Sequence, residues 1–158
     1  MSRRPFEEII AEHGRAVMRV CRALVDRDDA EDAWAETFLA AMRAYPRLRP
    51  QSNVRGWLVT IAHRKALDQL RGEARRPELR SELPEIVVPD ETPDTDALRA
   101  ALDTLAPKQR GAVVYRHLAD LPYDEVGRRL GCSAIAARRN AADGIAKLRR
   151  QLEEGKRR

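Results

Sequence analysis

Apolar residues recur along the first stretch at three- and four-residue spacing: Phe6, Ile9, Ile10, Val17, Val20, Cys21, Leu24 and Val25. That is the period of a helix with one buried face. A second stripe, Ala30, Ala33, Trp34, Thr37, Phe38, Ala41, Met42 and Tyr45, predicts another helix. Asp28 or Asp29 is expected to cap it, with Asp32 favourable near the positive end of its dipole, and Pro46 to end it. After a polar loop from Arg47 to Ser52, Asn53 can cap a third helix with Val54, Trp57, Leu58, Ile61 and Ala62 inward. Arg64 and Arg71, seven residues apart, then point in nearly the same outward direction, flanked by Lys65 and Arg55.

The pattern breaks between Ser81 and Asp96 (SELPEIVVPDETPDTD), where Pro84, Pro89 and Pro93 deny a continuous helix. Its like charges repel one another toward an extended form, which predicts an interdomain linker. Helical spacing resumes with Leu98, Ala101, Leu102 and Leu105, and Pro107 suits the first position of the next helix, expected to reach His117 or Leu118. The segment from Leu121 to Ser133 reads as helix, tight turn, helix. Gly131 is expected to take the left-handed conformation that stops the first, and Ser133 to cap the second. The last helix should bury Ala137, Ala141, Ile145, Leu148 and Leu152, leaving Arg138, Arg139, Ala142 and Asp143 outward. No strand pattern intervenes, so the predicted fold class is all-α, with two small helical domains at 1–80 and 97–158 joined by the acidic link 81–96.

Composition supports this. Aromatics are only 4% of the 158 residues, so the core must be built from Ala, Leu, Val and Ile, which suits helical bundles better than a β-sandwich. Cys21 and Cys132 lie 111 positions apart without metal-ligand neighbours, which argues against a disulfide framework or a zinc site. Cys21 and His13 fall on or near the buried face of the first helix, and core packing is the better reading for both. Neither a signal peptide nor a membrane span is legible, so a soluble cytoplasmic protein is expected. Gly155-Lys156-Arg157-Arg158 at the chain end is expected to leave no room for a further regulatory domain.

The net charge of +5 divides unevenly: +4 over residues 1–80, −6 over 81–96 and +7 over 97–158. Within the first block, Asp26 to Glu36 holds six acidic residues against one Arg, whereas Phe38 to Arg80 holds ten basic residues against three acidic ones. Acid and base are expected to face different partners. A helix-turn-helix with Arg138 and Arg139 early in its second helix fits a DNA major groove, where they could reach a guanine edge or a phosphate. The same spacing also fits a solvated helical face. No nucleotide, zinc-protease or serine-hydrolase motif is present, so an enzyme is the least expected class. Asp28 and Asp32 share a helix face, but a capped helix start explains them better than a metal site.

Taken together, Asp29-Ala30-Glu31-Asp32, Glu36-Thr37-Phe38, Tyr45, the run Asn53-Val54-Arg55-Gly56-Trp57-Leu58-Val59-Thr60-Ile61-Ala62, Asp68 and Arg71 resemble domain two of the extracytoplasmic-function (ECF) sigma factors. Leu105-Ala106-Pro107-Lys108-Gln109-Arg110, Leu121-Pro122-Tyr123-Asp124-Glu125-Val126 and Leu130-Gly131-Cys132-Ser133 resemble their domain four. The resemblance covers nearly the whole chain. It implies a non-catalytic bacterial RNA polymerase subunit without cofactor, metal or small-molecule substrate, whose partners are core polymerase and promoter DNA. An anti-sigma protein is a further partner the resemblance allows.

By the same resemblance, Asp29, Asp32, Glu36 and Phe38 would dock on the polymerase clamp helices. The loop Arg49 to Asn53, with Gln51 and Ser52, would receive a base flipped out of the minus-ten element, while Arg55, Arg64, Lys65 and Arg71 would hold the opening strands. Ser133, Ala136, Arg138, Arg139 and Ala142 would meet the minus-thirty-five element. The acidic link would occupy the basic RNA path of the polymerase.

Several positions depart from the family pattern. Ala35 replaces a usual Gln, Arg64 a common Asn, and Asn140 a typical Arg. Ala134-Ile135-Ala136-Ala137 replaces the usual small-residue pattern, Asp143 replaces a frequent basic residue, and Gly144 sits mid-helix at a cost of about 1 kcal/mol. Either the upstream sequence read is unusual, or that contact is weak and domain two carries more of the affinity. Two other readings stay open: a stand-alone helix-turn-helix regulator, and a polymerase-docking protein that has lost promoter reading.

Overall fold

A computed structural model describes residues 3–72 and 96–156, with the side chains of 3–72 and 96–155. All regular structure among them is helical: α1 (Phe6–Leu24), α2 (Arg27–Ala44), α3 (Val54–Leu70), α4 (Asp96–Asp103), α5 (Pro107–Val113), α6 (Tyr123–Leu130) and α7 (Ala134–Lys156). The expected acidic link lies outside the described residues except for Asp96, which opens α4.

Helix α2 starts two or three residues earlier than its sequence suggests. Its cap is Asp26, whose carboxylate accepts the Asp29 N–H at 3.0 Å, not Asp28 or Asp29. Only Val25 and Asp26 separate α1 from α2, so the first carboxylate after the break takes the role and the next two fall in the first turn. The α-helical part ends at Ala44, and a 3₁₀ turn over Tyr45–Arg47 carries Pro46. Asn53 caps α3 as expected, its Oδ1 accepting the Gly56 N–H at 2.9 Å.

Helix α1 is the axis of the molecule. From His13 to Val25 only Arg15 and Arg19 stay exposed, so burial extends well beyond one stripe. One side packs on α2 and α3, where the Trp34 indole N–H donates to the Gly14 carbonyl at 2.9 Å and Trp34 and Phe38 meet with ring centres 4.7 Å apart. Another side meets the second half of the chain: Ala23 packs with Leu102, Leu105, Val113 and Leu148. Val114, Tyr115, Leu121 and Val126 belong to the same core as Val17, Phe38 and Leu58. The two halves therefore share apolar packing rather than lying apart.

Pro107 opens α5, which passes into a wider π-turn over Val114–Leu118. Gly131, at φ 75°, ends α6 in the left-handed conformation. The Ser133 hydroxyl accepts the Ala136 N–H at 3.0 Å and so caps α7. Along α7, Ala137, Ala141 and Leu148 are buried, Ile145 is half-buried, and Leu152 is exposed instead of inward. Among the described residues the apolar cluster that takes in Leu148 does not extend to Leu152.

Candidate nucleic-acid interface

Two polar surfaces stand out, one on α3 with the loop before it and one on α7. The loop is short and internally bonded, the Ser52 N–H donating to the Arg49 carbonyl at 3.0 Å. Arg49 and Gln51 are exposed; Ser52 and Asn53 are half-buried. Gln51, Ser52 and Asn53 form one wall of a cleft of about 500 Å³ whose other wall is Pro122, Asp124, Glu125, Arg128 and Arg129. The loop thus faces the first helix of the helix-turn-helix.

The α3 cations separate into two kinds. Arg64 and Arg71 are exposed, as their spacing requires. Lys65 lies 3.6 Å from the buried Glu36 carboxylate, and Arg55 donates to His13 Nδ1 at 3.4 Å and approaches Asp120 at 4.0 Å. Lys65 and Arg55 therefore carry internal charge pairing, whereas Arg64 and Arg71 face outward.

Between the halves, His63 Nδ1 and the Tyr115 hydroxyl are 2.9 Å apart. Burial lowers the pKa of the His63 imidazole, helped by the nearby Arg110 charge, and raises that of the Tyr115 phenol to about 12. Glu125 is buried, and Oε1 of its carboxylate lies 2.7 Å from Arg129. It also presses on α3: a Cβ at Gly56 would stand 2.7 Å from Oε1, so glycine permits this approach.

On α7, Arg138, Arg139, Ala142 and Asp143 are exposed and Ala136 is half-buried. The exposed Ser133 spends its hydroxyl on the cap. Arg138 stacks over Tyr123 with its guanidinium carbon 5.1 Å from the ring centre, and Arg116 stacks at 4.7 Å. The Asn140 amide donates back to the Ala136 carbonyl at 3.1 Å. Ile135, which the sequence reading did not single out as a site residue, is 83% exposed. The signal for it was available: Ile135 lies off the Ala137, Ala141, Leu148 stripe and directs its side chain to the opposite side.

The acidic start of α2 places Asp28 in solvent and Asp29 and Asp32 half in it. Burial raises the pKa of the Asp29 carboxyl, and neighbouring Asp26, Asp32 and Asp28 reinforce the rise. Phe38 cannot touch a docking partner in this arrangement, because it is fully buried beneath Trp34 and Phe6. Its contribution is to fix the helix that presents the carboxylates. Among the described residues no cluster of three or more His, Cys, Asp or Glu side chains could hold a metal, and no helix is long and apolar enough to cross a membrane.

Comparison with known proteins covers both halves of the chain. Residues 9–76 fit the family model of sigma-70 region 2, and residues 95–148 fit that of sigma-70 region 4. The ECF RNA polymerase sigma factor SigE of Mycolicibacterium smegmatis is 34% identical over 93% of this chain, which spans 61% of SigE. The sigma factor CarQ of Myxococcus xanthus is 33% identical, with 94% of this chain and 90% of CarQ covered. Among solved structures, CnrH in complex with the cytosolic domain of CnrY superposes with a TM-score of 0.73 at 25% identity, covering 94% of this chain and 88% of CnrH. Sigma factor RpoE of Bartonella quintana, in complex with the anti-sigma factor NepR, shares the fold with a TM-score of 0.72 at 20% identity, over 94% of this chain and 96% of that one.

Proposed function

The chain belongs to the ECF sigma factors of bacterial RNA polymerase, and from that premise we propose how its two surfaces divide the work of promoter recognition. Residues 1–80 dock on core polymerase and open the minus-ten element, 97–158 read the minus-thirty-five element, and 81–96 connect them. The observation that carries this reading is the outward pair Arg64 on α3 and Arg71 at its C-terminal cap, on the same half of the chain as a polar loop with exposed Arg49 and Gln51.

Strand opening needs no covalent chemistry. It needs a surface that holds splayed single strand better than duplex, and stacking with cationic contacts supplies about 1–3 kcal/mol per base. Arg64 and Arg71 supply the cations, and the walls of the loop cleft supply polar groups for an unpaired base. The protein is accordingly a specificity subunit rather than an enzyme, and it works in the cytoplasm with polymerase and chromosome. Exposed carboxylates on α2 (Asp28, with Asp29 and Asp32 partly open) offer the polymerase an anionic face. CnrH and RpoE were solved with protein partners, which supports an anti-sigma protein as a regulator here.

The test is transcription by core polymerase with and without the protein on a library of genomic promoter fragments. Defined run-off transcripts that depend on the protein are the expected result. Tight sequence-specific duplex binding by the isolated protein, with no such transcripts, would instead identify a stand-alone regulator.

A further inference from the structure

We propose that Ile135 reads a thymine methyl group in the upstream promoter element and so helps determine which promoters this chain selects; the inference rests on the sigma-factor reading above. Ile135 is 83% exposed, against 59% for Leu70 and 42% for Leu152, the other large exposed hydrophobic residues among those described. Scattered apolar residues on a surface are ordinary. The place of this one is not, because it is the second residue of α7 and the N-terminal residues of a recognition helix are those that meet base edges.

The polar groups around it are already engaged. The Ser133 hydroxyl caps the helix, the Asn140 amide is bonded to the Ala136 carbonyl, and the Arg138 guanidinium lies over the Tyr123 ring. The start of the helix therefore offers the groove mainly hydrocarbon: the Ile135 side chain and the exposed methyl of Ala134. In the major groove thymine alone presents a methyl group, and apolar side chains recognise it by contact. Arg139 follows four residues later on the same side of α7, where it can reach a neighbouring guanine or phosphate. The expected element is one in which a thymine, rather than a cytosine, lies under the helix start.

Deoxyuridine removes that methyl and leaves base pairing intact. Holoenzyme formed from core polymerase and this protein would transcribe promoters mapped in the run-off experiment, each upstream thymine being replaced singly by deoxyuridine. At one position the wild-type protein should lose about fourfold in transcript yield, the effect of one buried methyl group. Ile135→Ala should transcribe thymine and uracil templates equally at the lower level, while Arg139→Ala keeps the fourfold difference. A wild-type protein indifferent to uracil at every position, or an Ile135→Ala protein that retains the full difference, would overturn the inference alone. Absence of any promoter-directed transcript would overturn the sigma-factor reading and this inference with it.

Discussion

Two arginines nine positions apart on α3 have different work. Arg55 is held by His13 and Asp120, whereas Arg64 is exposed. If Arg64 grips the opened strand, Arg64→Ala should slow promoter opening about tenfold, within the range of one stacking or cationic contact, while closed-complex affinity changes little. Permanganate reactivity of the melted region, compared with gel-shift affinity, checks this; equal losses in both would remove Arg64 from the opening step. Arg64 was legible as a candidate from its seven-residue spacing to Arg71. That Arg55 and Lys65 are internally paired was not, because Asp120 and Glu36 come from distant positions in the chain.

Helix ends and helix crossings decide the next level. Asp26→Ala should cost about 0.5–2 kcal/mol of stability through the lost α2 cap, and Asp28→Ala much less, which urea titration would distinguish. At the middle of α7, helix propensity alone makes Gly144 a defect of about 1 kcal/mol that alanine would repair. The packing says otherwise: a Cβ there would stand 2.6 Å from Val113 Cγ2 and 3.3 Å from the Gln109 carbonyl oxygen. Gly144→Ala should therefore destabilise the protein by about 1–3 kcal/mol, lowering the midpoint of a thermal melt followed by circular dichroism. The sequence showed the glycine and its local cost, but the reason for it is the close approach of α5.

At the scale of the whole molecule, the two halves meet around His63, Tyr115 and Glu125, and α1 lies in the core they share. His13 and His63 are both held neutral in the folded chain, chiefly by burial. Unfolded histidines take up a proton near pH 6.5, so the unfolded state binds more protons once the pH falls below that value. Stability should then be fully present above about pH 7 and decline as pH drops through 6.5 toward 5. Urea unfolding at pH 7.5 and 5.5 measures the decline, and replacing both histidines with Gln should flatten it. No shift in midpoint between these pH values would show that burial of the imidazoles does not distinguish folded from unfolded chain.

The all-helical class, the order of the helices, the caps at Asn53 and Ser133 and the turn at Gly131 were determined by the sequence alone. Each depends on residues within a few positions of one another. So was the family, because its motifs lie in short contiguous runs. Tertiary structure alone decided that α1 is buried well beyond its apolar stripe, that Phe38 supports a surface without joining it, and that α6 walls the loop cleft. Small residues such as Ala16 and Ala23 are equally at home inside or outside a helix, so periodicity cannot say whether a second layer covers them. That choice depends on contacts between residues many tens of positions apart, and the same kind of contact fills the space a side chain at Gly144 would need.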